Sequence, residues 1–249
     1  KVCVIIMGNI PHYYYTDLLT VDYYTKEFQN YLKLCRPLMQ IFTSDRYRTA
    51  FGLLENIKGN MGEFYTLSGY KTTAAINSEI YEALLKKTGL PGSELDEMLK
   101  LHYNLREELL DSLNSCKYTE IIALPLSSAV FDVVSGRIIQ LDMDEAMEIA
   151  AEDIKLLKKY KNYNLVLQSN QIVENSFVAV KEGAGVIVAK QGGNPVLFSF
   201  NHKNMTNAFV NYMQRLTAAE GAITGKTEVI KLLYRSESEC ECEFECECQ

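Results

Sequence analysis

Apolar residues run unbroken from Val2 to Met7, rich in β-branched side chains and stopped by Gly8, which is the pattern of a buried strand. The period then lengthens. Leu18, Val21, Phe28, Tyr31, Leu32 and Cys35 recur at helical spacing, Pro37 follows, and 38–42 returns to a strand pattern. Ser44 is placed to cap a helix whose Tyr47, Ala50, Phe51 and Leu54 share one face, and Gly59 and Gly62 break that helix before a strand over 64–67. Strand, helix, strand, helix, strand in this order predicts parallel α/β layering with right-handed crossovers.

The middle of the chain is predicted to be helical. One helix runs from Thr72 or Thr73 to about Lys87. After Pro91-Gly92-Ser93 a longer one carries Leu95, Met98, Leu99, His102, Leu105, Leu109 and Leu113 as a single stripe, with Ser93 and Asp96 resembling a capping box. A strand over 118–124 and a loop or short helix over 127–134 precede an amphipathic helix marked by Met143, Ala146, Met147, Ala150, Ile154 and Leu157. Its opposite face carries Glu148, Glu152, Lys155 and Lys159. Four short apolar runs, 164–168, 177–181, 186–190 and 196–200, are separated by glycine-containing turns and read as an antiparallel meander. Met205, Ala208, Phe209, Tyr212, Met213 and Leu216 then define a helix that closes over the sheet. The expected fold class is α/β in a mixed α+β arrangement. The expected divisions are 1–115 as an α/β layer plus helical segment, 116–235 as an α+β sensor-like domain, and 236–249 as a tail.

Charge changes this picture in one place. The net charge of −7 includes six glutamates within residues 237–249, and without them the balance falls to about −1. A body so nearly neutral has no dense Lys/Arg stripe for a phosphate backbone, so DNA contact is expected only through a domain preceding Lys1. No apolar run is long enough to span a membrane, and a cytoplasmic location is expected. Cys3, Cys35 and Cys116 sit in apolar patterns and read as buried reduced thiols. Cys240, Cys242, Cys246 and Cys248 alternate with glutamate, without the CxxC pairs of a zinc site, so neither metal nor other cofactor is expected.

Two motifs mislead. Gly225-Lys226-Thr227 resembles the end of a phosphate loop, but the required earlier glycine position holds Glu220, with Gly221 one place out of register. Gly183-Ala184-Gly185 fits a hairpin turn better than a dinucleotide loop.

Candidate binding residues lie beyond predicted strand ends. Asn9, His12 and Tyr13 begin a cluster of amide, imidazole and phenols that could hold a small ligand, or simply cover the sheet or a dimer contact. Ser68, Lys71 and Thr72 follow a strand and offer hydroxyls, backbone N–H groups and an ammonium as an anion cradle, although helix capping would also explain the threonines. The three histidines, His12, His102 and His202, form no metal pair or nucleophile-base spacing, and no catalytic residue is assigned. His102, on an apolar stripe, reads as a buried hydrogen-bonded side chain.

The stretches FYTLSGYKTTAAIN (64–77), REELLDSLNSCKYTEIIALP (106–125), KYKNYNLVL (159–167) and FSFNHKNMTNAFVNYMQRL (198–216) resemble the C-terminal effector region behind helix-turn-helix domains in XRE-type regulators of Gram-positive bacteria. Some sensor domains of this kind are similar to a phospholipase-D-like fold that has lost its chemistry. The active form of that fold carries His-x-Lys, whereas His202 here is followed at the second position by Asn204. The resemblance therefore implies a non-enzymatic, ligand-sensing or dimerising effector domain. The alternatives are an enzyme acting on a small anionic metabolite and a structural interaction module.

Overall fold

The computed structural model describes residues 3–7, 10–15, 20–23, 26, 40–43, 47–57, 62–124, 126–169, 176–190 and 196–234. The chain forms two compact units, Lys1–Leu38 and Met39–Gln249.

In the first unit β1 (Cys3–Met7) pairs antiparallel with β2 (Ile10–Tyr15) in a two-stranded sheet, not as the first strand of a parallel layer. The run IPHYYY was expected to lie beyond the end of β1 as a candidate binding loop. Tyrosines favour strands, however, and a two-stranded sheet is all edge, where proline's missing N–H is tolerated. Tyr13 stands opposite Ile5 and Pro11 opposite Ile6, which leaves His12 as the extra residue of a bulge. Residues 20–23 (α1) and 26 are helical. The rest of the helix expected over 18–35, Asn9 and the proposed cap Ser44 lie outside the described residues.

The second unit is mixed α/β. Its main sheet has the order β13-β9-β6-β4-β10-β11-β12-β3. The parallel centre is β4 (Phe64–Ser68), β6 (Tyr118–Ala123) and β9 (Tyr163–Gln168). β10 (Ser176–Lys181), β11 (Gly185–Lys190) and β12 (Leu197–Phe200) form the antiparallel meander beside it. β3 (Gln40–Thr43) and β13 (Ala222–Ile223) close the two edges, also antiparallel. Two expectations are corrected here. β3 pairs with β12 and not parallel to β4, and β9 belongs to the parallel centre, not the meander. A short, fully buried apolar run reads the same in either setting, and only the crossover through α5 (Met143–Lys159) distinguishes them.

A second sheet, β5 (Lys71–Thr72), β7 (Ala129–Asp132) and β8 (Arg137–Gln140), replaces the loop or helix expected over 127–134. Gly136 supplies the positive φ of 70° that the β7–β8 turn requires. The helix expected from Thr72 starts later. Thr73–Ala75 is a 3-10 turn, and α3 (Ser78–Lys87) is capped by Asn77, whose side chain accepts from the Glu79 N–H at 2.8 Å. α4 (Gly92–Ser112) has Pro91 at its N-cap and no side-chain cap, so Ser93 lies inside the helix and the expected capping box does not form. The box is found instead at α5, between Asp142 and Glu145.

The main sheet has an apolar layer on each face. Ile121, Val166, Leu67 and Tyr65 pack under Val210 and Met213 of α6 (Lys203–Thr217), the closing helix expected from its apolar stripe. On the other side Tyr118, Ile122 and Tyr163 join α2 (Arg48–Ile57), α3, α4, α5 and the helical segment 226–234 (α7) in the larger core. That side holds the site described below.

Close packing makes Gly185 obligatory, because a Cβ there would stand 2.8 Å from the Phe200 carbonyl oxygen on β12. Gly185→Ala is expected to cost about 1–3 kcal/mol, read as a lower thermal midpoint, since backbone and not a flexible side chain must yield. Of the two misleading motifs, Gly183 (φ 73°) forms the β10–β11 turn. Lys226 donates to the carbonyls of Tyr160 (2.8 Å), Lys161 (3.1 Å) and Leu157 (3.3 Å), so it satisfies the C-terminal end of α5.

Candidate ligand-binding site

The chain leaves β4 through a tight turn in which the Tyr70 N–H donates to Ser68 Oγ at 3.0 Å, then enters β5 beside β7, with Lys71 level with Val130. This delivers the Lys71 side chain into the larger core, where it is 9% exposed. Glu120 is fully buried on β6, on the same face as Tyr118 and Ile122. Asp153 comes from the buried face of α5 and Tyr163 from the start of β9.

The four side chains meet. Lys71 Nζ lies 2.5 Å from Glu120 Oε2, 2.8 Å from Asp153 Oδ1 and 3.0 Å from the Tyr163 hydroxyl. That hydroxyl is also 3.2 Å from Glu120 Oε2 and 3.1 Å from Asp153 Oδ1. The remaining Glu120 oxygen, Oε1, accepts from the Thr72 N–H at 2.9 Å and the Thr72 hydroxyl at 2.8 Å. Burial opposes the Lys71 charge, but Asp153 and Glu120 outweigh it and hold the ammonium above its usual range. For Asp153 burial dominates. Lys71 pulls the carboxyl down and Glu120 pushes it up, and the net effect is a raised pKa. Burial, with the two carboxylates, holds the Tyr163 phenol neutral.

Lys71 and Asp153 form the inner end of a cavity of about 420 Å³, within the range of roughly 300–1,000 Å³ typical of small-molecule sites. Its walls are mostly apolar. Ala146, Met147 and Ala150 of α5 face Ile122, Leu126 and Val130. Exposed Ser127, Ser128, Asp142 and Met143 also line it and mark the mouth, while Ile122, Val130 and Asp153 are buried. No histidine or cysteine lines it among the described residues.

Of the residues singled out in the sequence, Ser68, Lys71 and Thr72 are therefore neighbours. The N–H and hydroxyl that Thr72 offers are committed to a carboxylate of the protein itself. His12 and Tyr13 lie on β2 in the other unit, and Asn9 is outside the described residues. Glu120, Asp153 and Tyr163 were not singled out, yet two of them carried a signal. Glu120 interrupts the apolar strand YTEIIA, and Asp153 follows Ala150 by three positions on the apolar face of its helix.

Beside this site stands a second buried polar node. Asp132, fully buried, accepts from the Thr73 hydroxyl (3.1 Å), the Tyr81 hydroxyl (2.9 Å), and the N–H groups of Val134 (3.0 Å) and Ser135 (3.2 Å). His102 is buried and hydrogen-bonded, as its place on the stripe implied. Its Nε2 lies 2.9 Å from the Thr73 carbonyl, and its ring stacks on Tyr81 at 3.8 Å. His202 is exposed at the N-cap of α6 without a side-chain cap bond. Among the described residues no group of three or more His, Cys, Asp or Glu side chains is placed to hold a metal ion, and no helix is long and apolar enough to cross a membrane.

No family model and no curated protein matches the sequence. Among solved structures the chain is similar to the archaeal chromatin protein TrmBL2, at TM-score 0.43 and 8% identity over 84% of this chain and 63% of that one. NucT from Helicobacter pylori aligns at TM-score 0.43 and 11% identity over 76% of this chain and 99% of its own. Nuc from Salmonella typhimurium, a phospholipase D family member, aligns at 0.40 and 11% over 76% and 97%. The chain thus spans just under two thirds of the archaeal protein. Overlap this loose carries no residue roles across, and the site stands on its own geometry.

Proposed function

We propose that this chain is a non-enzymatic ligand-sensing effector module that takes a small, largely apolar molecule into the cavity between α5 and the β6–β7 connection. The observation that carries the reading is the cavity itself: apolar walls, an exposed mouth, and an inner end made of Lys71 and Asp153. Burying an apolar body supplies affinity at about 25 cal/mol per Å², and a few fixed polar groups set orientation. Binding is favoured over turnover because the serines at the mouth have no imidazole beside them among the lining residues, and Lys71 and Asp153 are engaged with each other.

In this reading the module belongs to a transcriptional regulator, as the XRE-type resemblance implies, with DNA gripped by a separate segment and with dimerisation as the output. The nearly neutral body is compatible with that division of labour. A ligand at a hundredfold excess over its Kd stabilises the native state by about 2.7 kcal/mol, which for a chain of this size raises the thermal midpoint by several degrees. Ala146→Trp, which places an indole in the cavity from a half-buried position, is expected to abolish that rise for every apolar ligand while leaving a cooperative unfolding transition. Undiminished ligand shifts in the variant would remove the cavity from consideration.

A further inference from the structure

The inner end of the cavity has a sign, and it is the opposite of what an anion cradle would need. Two carboxylates, Glu120 and Asp153, share one ammonium, Lys71, so the formal balance of the cluster is −1. Among the described residues no further cation pairs with it, since the fourth member, Tyr163, is a neutral phenol whose one proton goes to one or the other of the same two oxygens. The groups that could have received an external anion are already occupied. The Thr72 N–H and hydroxyl bind Glu120 Oε1, and the Lys71 ammonium is held by both carboxylates and the phenol. Of the two carboxylates, Asp153 lines the cavity and Glu120 does not. An entering molecule therefore meets the Asp153 carboxylate beside a Lys71 ammonium whose donors are already taken, with the Glu120 carboxylate behind them making the cluster net negative.

We propose that the cavity selects a monocationic amphiphile, an aliphatic or aromatic body carrying one primary or secondary ammonium group, with the ammonium at Asp153 and the body between the α5 alanines and methionines and the wall formed by Ile122, Leu126 and Val130. The proposal rests on the ligand-sensing reading above and adds the charge of the ligand to it. Two features argue for this class. A cation placed at Asp153 offsets the burial that raises that carboxyl's pKa, favours its ionised form and brings the cluster to neutrality, whereas a carboxylate would add a second uncompensated negative charge in a region where such charge is costly. The unbranched methionine side chains, Met143 and Met147, can adjust to bodies of different shape. A rigid, single-shape pocket would not need them.

Three probes with the same eight-carbon body separate the possibilities: octylammonium, octan-1-ol and octanoate, titrated calorimetrically into the whole chain near pH 7. Octylammonium is expected to bind at least tenfold more tightly than octan-1-ol, with octanoate weakest. In Asp153→Asn, which can keep an oxygen toward Lys71, that preference is expected to shrink to within about twofold. Equal affinity for the ammonium and the alcohol in the wild-type protein would overturn the charge assignment and leave the cavity reading standing, provided Ala146→Trp abolishes both. Tightest binding by octanoate would also overturn it and mark Lys71 as the contact. Binding of none of the three, or binding indifferent to Ala146→Trp, would defeat both the assignment and the cavity reading. If Asp153→Asn does not fold, the wild-type ranking of the three probes decides alone.

Discussion

Lys71→Met is expected to lower the unfolding free energy by about 3–5 kcal/mol, the cost of leaving a buried charge without its partner. The lysine sits between two carboxylates that are themselves almost wholly inaccessible, at 0% for Glu120 and 6% for the Asp153 side chain. Methionine fills a comparable volume, so loss of packing contributes little and the effect isolates charge. Removing the charges that were balanced should reverse most of it. The triple variant Lys71→Met, Glu120→Gln, Asp153→Asn is expected to regain well over half of the loss in urea unfolding at neutral pH, because amides can still accept from Thr72 and Tyr163. A loss below about 1 kcal/mol for the single variant would mean that water reaches the cluster and that the inner end of the cavity is not a low-dielectric site.

That cluster also shows where the sequence was legible and where it was not. Lys71 and Thr72 could be singled out because a polar segment following an apolar strand is visible locally, and so could the helices whose stripes ended up buried, such as Met98, His102, Leu105 and Leu109 of α4. The partners of Lys71 lie 49, 82 and 92 positions away, and the hydrogen bond from Thr73 to Asp132 spans 59. No periodicity links residues across such distances, since only the parallel register of β4, β6 and β9 and the seating of α5 bring them together. Strand direction was hidden for a related reason. β9 and the meander strands have equally apolar patterns, and what sets β9 apart is its neighbour, not its composition. The reading of 127–134 as a loop or short helix failed because β7 is only four residues long and wholly buried, so it shows no alternation.

His102 gives the second large effect, and it depends on pH. The ring is stacked on Tyr81 and held at Nε2 by the Thr73 carbonyl, while Arg106 lies one turn further along α4. Burial lowers its pKa from 6.5 to about 4, against an opposing contribution from the bond to Thr73 and with a smaller lowering from the Arg106 charge. With the native value depressed, the unfolded chain takes up a proton near pH 6.5 that the folded chain refuses until about pH 4. Stability contributed by the neutral, buried ring is therefore complete above pH 6.5 and is lost progressively as the pH falls toward 4, by about 3 kcal/mol at the lower end. Asp153 works in the other sense, because its raised pKa lets the native state accept a proton first, and a bare pH profile would mix the two. The comparison that separates them is His102→Gln, which retains a donor for the Thr73 carbonyl but cannot titrate. Between pH 7 and pH 4.5 the wild-type protein should lose about 2–3 kcal/mol more than the variant in urea unfolding. Parallel profiles would show that the imidazole is protonated in the folded state at the same pH as in the unfolded one, and that the stack on Tyr81 is open to water.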